Sequence, residues 1–262
     1  MTATPSATST ASPPAAAPRN DRVGGSVHPL VKVDIWSDIA CPWCYIGKRR
    51  FEAGLRAFAH ANDVEIAWHS YQLDPTLPEH YDGTEVDYLS ERKGMPRAAV
   101  ERMTAHVTQQ AAEVGLDYDF DNLVVANSLR AHRLLHLAAR HGVADAVKED
   151  LLSAHFERGV DIGDPDALVA IGAAHGLDAD EAHAALDDPE LAAEVEADFA
   201  KARAYGIQGV PFFVIDEKFG VSGAQPAEAF TSALEHAWAD AHPLVMPVAE
   251  GAVCGPDGCD PA

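Results

Sequence analysis

A chain of 262 residues is long enough for one large domain or two small ones, and its 47% apolar content can bury a core. Lys and Arg number 19 against 41 Asp and Glu, a formal net charge of −22, which argues against nucleic acid or an anionic membrane as partner. No apolar run of roughly 18 residues occurs, so no membrane-spanning helix is expected.

Residues 1–28 are rich in Ala, Thr, Ser and Pro and lack both the positive region and the apolar core of a secretory signal. They read as a disordered tail, with a cleavable targeting segment as the alternative. The expected compartment is the cytoplasm, where paired cysteines are more often catalytic or metal-binding than static bridges. LVKVDIW, 30–36, alternates and is rich in Val and Ile, as a strand does. From Pro42 to about residue 60, Tyr45, Ile46, Phe51, Leu55 and Phe58 recur near helical spacing, with Pro42 at a natural first position. DVEIAWHSYQL, 63–73, alternates again.

Over 85–205 the signals are almost all helical, broken by Gly and Pro into about six segments. Within them Asp164 suits a helix cap and Pro165 the first helical position. Residues 206–241 return to strand, tight turn, strand and helix. The order is therefore β-α-β, a helical block, then β-β-α. It predicts an α/β domain from 30–80 and 206–241, interrupted by an all-helical insertion over 85–205. Residues 243–262 form a flexible Pro/Gly-rich tail ending in CGPDGCDPA.

Cys41 and Cys44, with Pro42 and Trp43 between them, fall at the first strand-to-helix turn. A sulfur at a helix start lies near unpaired N–H groups and the positive end of the helix dipole, and both favour the thiolate. Cys41, the more exposed of the two by position, is the candidate attacking thiol. Cys44, one turn deeper, is the candidate resolving thiol. A zinc site and a coincidental buried pair compete with the redox dithiol. Zinc needs about four ligands and would draw on Cys254, Cys259 and histidines. The 13 histidines form no helical metal motif, so no metal site is assigned. The strand-to-helix placement favours a redox dithiol, which needs no cofactor beyond the cysteines themselves.

SDIACPWCYIG, the late GIQGVPFF, and a helical block between two sheet halves together resemble the DsbA family of thioredoxin-like oxidoreductases, in its FrnE-like branch, over residues 30 to 240. The resemblance implies a thioredoxin fold with an inserted all-helical domain. It implies thiol–disulfide exchange on protein or peptide substrates, and Pro211 as a cis-proline facing the dithiol. Val210 would then lie beside the sulfurs, where an extended substrate pairs like an added strand. The residues alone read Pro211 as an ordinary trans proline heading the apolar run PFFVI.

Asp34 has two readings: the buried acid that thioredoxin-like proteins carry below the dithiol, able to take the proton of Cys44, or a solvated strand-edge carboxylate. Asp38 either opposes a Cys41 thiolate or caps the helix. Trp43 reads as a rim residue offering apolar contact to substrate.

ANSLRAHRLLHLAARHG, 126–142, resembles a pattern shared with the 2-hydroxychromene-2-carboxylate isomerases, and the resemblance places Asn127, Ser128 and His132 on the cleft. Asn127 as a helix cap and His132 as a packed or surface histidine are the alternatives. Those isomerases carry serine where this chain has Cys41, and they bind glutathione. Cys254 and Cys259 read as a second redox pair exchanging with Cys41–Cys44, an inert disulfide, or a transient metal site. The expected function is a thiol–disulfide oxidoreductase or isomerase, with glutathione or another small thiol as a further partner. The alternative is a small-molecule isomerase or glutathione-linked transferase in polyketide or other secondary metabolism.

Overall fold

The computed structural model describes residues 30–79 and 81–243, together with the backbone of 254, 255, 258 and 259. Strand β1 (Val31–Ser37) leads into helix α1 (Pro42–Ala57) and strand β2 (Val64–Ser70). After the helical block, β3 (Phe212–Ile215), β4 (Phe219–Ser222) and α9 (Ala227–Ala241) complete the sheet unit. The strand order is β2-β1-β3-β4, with β1 parallel to β2 and antiparallel to β3, and β3 antiparallel to β4. This is a thioredoxin fold, assembled from sequence segments on either side of the helices.

β1 is central and has both faces covered, which explains why its residues are almost all buried. Val31, Val33 and Ile35 face α1 and α9 through a cluster of Phe51, Phe213 and Phe230, whose ring centroids lie 4.6–5.6 Å apart. The two helices approach closely: a Cβ on Gly54 would sit 2.5 Å from the Ala227 carbonyl. By strand alternation Asp34 and Trp36 point to the opposite face. There Trp36 packs with Ala202, Ile207 and Val214, and its Nε1 donates to the Asp198 carbonyl at 3.0 Å.

The described residues hold seven helices between β2 and β3, against about six expected: α2 (Glu85–Glu91), α3 (Arg97–Ala112), α4 (Leu129–Arg140), α5 (Ala144–Phe156), α6 (Pro165–Ala174), α7 (Ala179–Ala185) and α8 (Pro189–Ala204). Gly142 and Gly176, with φ of 72° and 87°, end α4 and α6. At each, the following N–H bonds back to the carbonyl five residues earlier, the pattern that only a left-handed residue permits cheaply (Val143 to Ala138, 2.9 Å; Leu177 to Gly172, 3.1 Å). Asp164 caps α6 by accepting from the Asp166 N–H, with Pro165 first in the helix.

The block has its own core around Leu134, Val147, Leu151, Leu168 and Leu186. A second cluster joins Tyr45 and Ile46 of α1 to Val107, Leu152, Phe156 and Tyr118, so the insertion is seated directly on the first helix. β2 ends at Ser70, short of the expected 73, and the chain then loops under Asp38. α1 stops at Ala57, where Phe58 turns extended to enter the core.

The expected tails lie outside the described residues, apart from a short antiparallel pair, β5 (Cys254–Gly255) and β6 (Gly258–Cys259), in which Cys254 stands opposite Cys259. No described helix is long and apolar enough to cross a membrane.

Candidate active site

The turn Asp38–Cys41 joins the end of β1 to α1. Asp38 accepts from the Ala40 N–H at 3.2 Å, which tightens that turn. Cys41 is the N-cap residue, with extended backbone angles, and Pro42 takes the first helical position. The Cys44 N–H closes the first turn on the Cys41 carbonyl at 3.0 Å. The Tyr118 hydroxyl donates to the Pro42 carbonyl at 2.6 Å, tying the turn to the helical block.

Both cysteines are free thiols, and both are buried, Cys41 at 4% exposure and Cys44 at 2%. Bare exposure therefore does not distinguish them, contrary to expectation. What distinguishes them is a cleft of about 360 Å³ that Cys41 lines and Cys44 does not. Its walls are mostly apolar, from Trp43, Leu73, Leu77, Leu89, Met103 and Val107, and its polar lining includes Asp38, Asp74, Glu85, Lys93, Ser128 and His155. Glu85 is pushed up to about 7 by burial.

The Val210–Pro211 peptide is cis. The Cys41 thiol donates to the Val210 carbonyl, with Sγ···O 3.7 Å, so residues 169 positions apart meet at the sulfur. Gly47 makes this approach possible. A Cβ there would lie 2.8 Å from Pro211 Cγ, closer than side-chain carbons pack.

The surroundings of the two sulfurs act in opposite directions. The helix start predicts Cys41 as the favoured thiolate. Its hydrogen bond to Cys44, its burial, and the charges of Cys44 and Asp38 work against that and raise its thiol. Burial opposes a Cys44 thiolate too. The Cys41 thiol, the Lys148 ammonium, the Ser37 hydroxyl and the Asp38 N–H outweigh it, so Cys44 lies below the usual range. The physical reason is the composition of the turn. Pro42 removes the first helical N–H, the Asp38 charge opposes a Cys41 thiolate, and the Lys148 charge favours one on Cys44.

Asp38 is 1% exposed and well satisfied. It accepts from the Leu73 N–H (2.8 Å), the Ser128 hydroxyl (2.7 Å) and His132 Nε2 (3.2 Å). Burial works against its charge, yet these partners hold its carboxyl below the usual range. Burial also lowers His132, and its Nδ1 has no partner. A neutral ring with its proton on Nε2, donated to Asp38, satisfies both observations. Asp38 neither caps α1 by side-chain hydrogen bond nor stands free. It is the buried carboxylate next to the dithiol.

Asp34, read either as that acid or as a solvated strand-edge carboxylate, fits neither position. It is fully buried, but its Oδ1 meets His69 Nε2 at 2.5 Å and Lys201 Nζ at 3.1 Å. Strand alternation puts it on the α8 face with Trp36, whereas α1 and Cys44 lie over the other.

Asn127 and His132 do not line the cleft; of that trio only Ser128 does. Asn127 accepts from the Leu129 N–H and Gln72 and donates to the Leu77 carbonyl, pinning the loop after β2 to the start of α4. Lys148, 1% exposed, and His155, 2% exposed, carry no distinguishing mark in the sequence. Burial pushes them down to about 8 and about 4 respectively. Among the described residues no three His, Cys, Asp or Glu side chains converge as a metal ion would require.

A family model, the DSBA-like thioredoxin domain, matches residues 32–235. The chain belongs to that family. Its members act on thiol or disulfide substrates as oxidoreductases or isomerases. The chain is 40% identical to a probable DsbA oxidoreductase from Streptomyces coelicolor, over 88% of this chain and 99% of that one, with a TM-score of 0.75. Two more distant structures share the fold. A 2-hydroxychromene-2-carboxylate isomerase is 13% identical over 80% of this chain and 97% of its own (TM-score 0.59). The cytosolic disulfide reductase DsbM from Pseudomonas aeruginosa, solved with GSH, is 18% identical over 78% and 98% (TM-score 0.56).

Proposed function

We propose that this DsbA-family chain exchanges disulfides with peptide or protein substrates through Cys41 and Cys44, in the cytoplasm, with no cofactor beyond the two thiols. The observation that supports this best is the meeting of Cys41 Sγ, on an open cleft, with the Val210 carbonyl at 3.7 Å. An extended substrate lying along residue 210 presents its sulfur to Cys41 while its backbone pairs with the loop.

In the reducing direction Cys41 passes its proton to the Cys44 sulfur and attacks the substrate disulfide. That S–S bond breaks, a Cys41–substrate S–S bond forms, and the first substrate thiolate leaves and is protonated by solvent. Cys44 gives that proton up to solvent and attacks Cys41 Sγ. The Cys41–substrate bond breaks as the Cys41–Cys44 bond forms, and the second substrate sulfur leaves as a thiolate that solvent protonates. The protein loses two electrons and the substrate gains them. The oxidising direction is the reverse.

The test is insulin reduction and refolding of a scrambled disulfide protein, by the wild type and by Cys41→Ser and Cys44→Ser. Wild-type turnover, loss in Cys41→Ser, and a trapped mixed disulfide in Cys44→Ser are expected. A wild-type pair that cycles in no redox buffer refutes the proposal.

The cleft supports a second reading. Its volume of about 360 Å³ suits a small molecule, and DsbM was solved with GSH. A small-molecule isomerase or glutathione-linked transferase would keep full activity in Cys44→Ser, which the dithiol cycle cannot.

A further inference from the structure

Most of the polar lining of the Cys41 cleft is already paired within the chain. Asp38 accepts from the Leu73 N–H, the Ser128 hydroxyl and His132. Asp74 accepts from the Thr76 N–H at 3.1 Å and its hydroxyl at 2.6 Å, from the Tyr88 hydroxyl at 3.0 Å and from Lys93 Nζ at 2.8 Å. Lys93 is spent on that carboxylate and on the Tyr88 ring, whose centroid lies 5.6 Å away. Two groups on the cleft remain unfilled. His155, from α5, is 2% exposed and its Nδ1 has no partner. Glu85, from α2, is partly buried, and no hydrogen bond or neighbouring charge within the chain offsets that burial. An apolar cleft that keeps a carboxylate without a donor is complementary to a ligand that brings one.

We propose that Glu85 determines specificity in this cleft: it takes the ammonium or guanidinium of a Lys or Arg beside the reactive cysteine of a peptide disulfide. This deepens the thiol–disulfide reading and rests on it. Glu85 and Cys41 line the same cleft of about 360 Å³, so a substrate held at the sulfur has its neighbouring side chains within those walls. Leu77, Leu89, Met103 and Val107 offer apolar cover to the methylene stem of a long basic side chain. The formal net charge of −22 draws basic peptides toward the protein. No other cleft group fits the part. Asp38 and Asp74 are filled, Lys93 is neutralised by Asp74, and burial holds His155 neutral. His106 of α3 packs outside the cleft wall against Trp43, with ring centroids 6.1 Å apart.

The test offers the reduced full-length protein two peptide disulfides that differ only beside the cysteine, Lys in one and norleucine in the other. Each rate is divided by that of dithiothreitol with the same peptide, which removes intrinsic reactivity. Wild type is expected to favour the Lys peptide about tenfold, the size of one charge-assisted hydrogen bond, and Glu85→Gln to lose that factor. Glu65→Gln removes the same charge from an exposed position on β2, outside the cleft, and is expected to keep it. Burial pushes Glu85 up to about 7, so the wild-type preference is expected to grow from about pH 6 to about pH 8 as the carboxyl ionises. A wild-type ratio within about twofold of one, an equal loss in Glu85→Gln and Glu65→Gln, or a ratio flat across that range would overturn the proposal.

Should Glu85→Gln not fold, the wild-type pH profile decides. Calorimetry of the same peptides, reduced and S-methylated, with the Cys41→Ser protein judges Glu85 apart from the redox chemistry. The Lys peptide is expected to bind more tightly than the norleucine peptide, and equal binding refutes the role of Glu85. A wild type that exchanges with neither peptide, while that binding preference holds, refutes the redox function instead.

Discussion

Replacing Lys148 by methionine should make the folded protein more stable while damaging its chemistry. The side chain is 1% exposed, and burial brings the ammonium from 10.5 to about 8. At about 1.4 kcal/mol per pH unit, that drop corresponds to about 3 kcal/mol lost by keeping the charge inside. The sign follows from proton counts. Between pH 8 and 10.5 the unfolded chain holds the lysine proton and the folded chain has released it, so stability rises with pH across that window. Below pH 8 both states are protonated and the whole penalty is present. Methionine fills a similar space without the charge. Urea unfolding at pH 7 should therefore place Lys148→Met about 2–3 kcal/mol above wild type, with the gap closing as pH passes 10. A variant less stable than wild type at pH 7, or a gap that ignores pH, would show that Lys148 is not an uncompensated charge.

Burial holds His155 at about 4 against 6.5 in the unfolded chain, so the unfolded state binds the extra proton as pH falls through that window. About 3 kcal/mol of stability should disappear between pH 6.5 and 4, and His155→Phe should flatten that slope in a denaturant series. Gly47→Ala puts a Cβ 2.8 Å from Pro211 Cγ, and neither the helix nor the proline ring yields cheaply. It should cost about 1–3 kcal/mol in thermal unfolding and slow disulfide exchange by opening the gap between Cys41 and Val210. Asp38→Asn keeps the shape and removes the charge that opposes Cys41, so alkylation of Cys41 at neutral pH should quicken severalfold by mass spectrometry. No change in rate would mean the carboxylate is screened from the sulfur.

The parts of the site that leave a local mark could be found in the chain itself. Cys41 and Cys44 are marked by their spacing at a strand-to-helix turn, whereas Pro211, which heads PFFVI, is marked only by the family resemblance and reads from the residues alone as an ordinary trans proline. Gly142 and Gly176 are marked because only a left-handed residue ends those helices as they end. What the chain does not display is which face of a strand its neighbours cover. Alternation pairs Asp34 with Trp36 plainly enough. That this pair faces α8, leaving Asp38 to approach the dithiol, depends on where α1 lands. Lys148 is harder still. In ADAVKEDLLSAHF it looks like one more solvated charge, and only the packing of α5 against Trp68 buries it. Asn127 and His132 stand one and four residues from Ser128, yet Ser128 alone of the three reaches the cleft, because Asn127 is drawn to Gln72 and the Leu77 carbonyl and His132 to the Asp38 carboxylate.

The same packing decides what the helical insertion is for. A lid that only selected substrates would contribute cleft walls, as α2 and α3 do through Tyr88, Leu89, Met103 and Val107. Here α4 also supplies His132, at whose start Ser128 stands, both bonded to the Asp38 carboxylate. Helix α5 supplies Lys148, whose charge favours a Cys44 thiolate, and Tyr118 from the stretch following α3 holds the Pro42 carbonyl. Each of these groups acts within the turn that carries the sulfurs. Tyr45 and Ile46, from that same first helix, sit in one apolar cluster with Leu152 and Phe156 of α5. Removing residues 85–205 would therefore strip Asp38 of two donors, Cys44 of its cation and α1 of its apolar cover at once. A sheet unit so trimmed would expose Tyr45 and Ile46 and leave a buried carboxylate short of partners, the combination that most strongly destabilises a small domain. The dithiol and the insertion form one electrostatic and packing unit, even though the chain delivers them as separate segments.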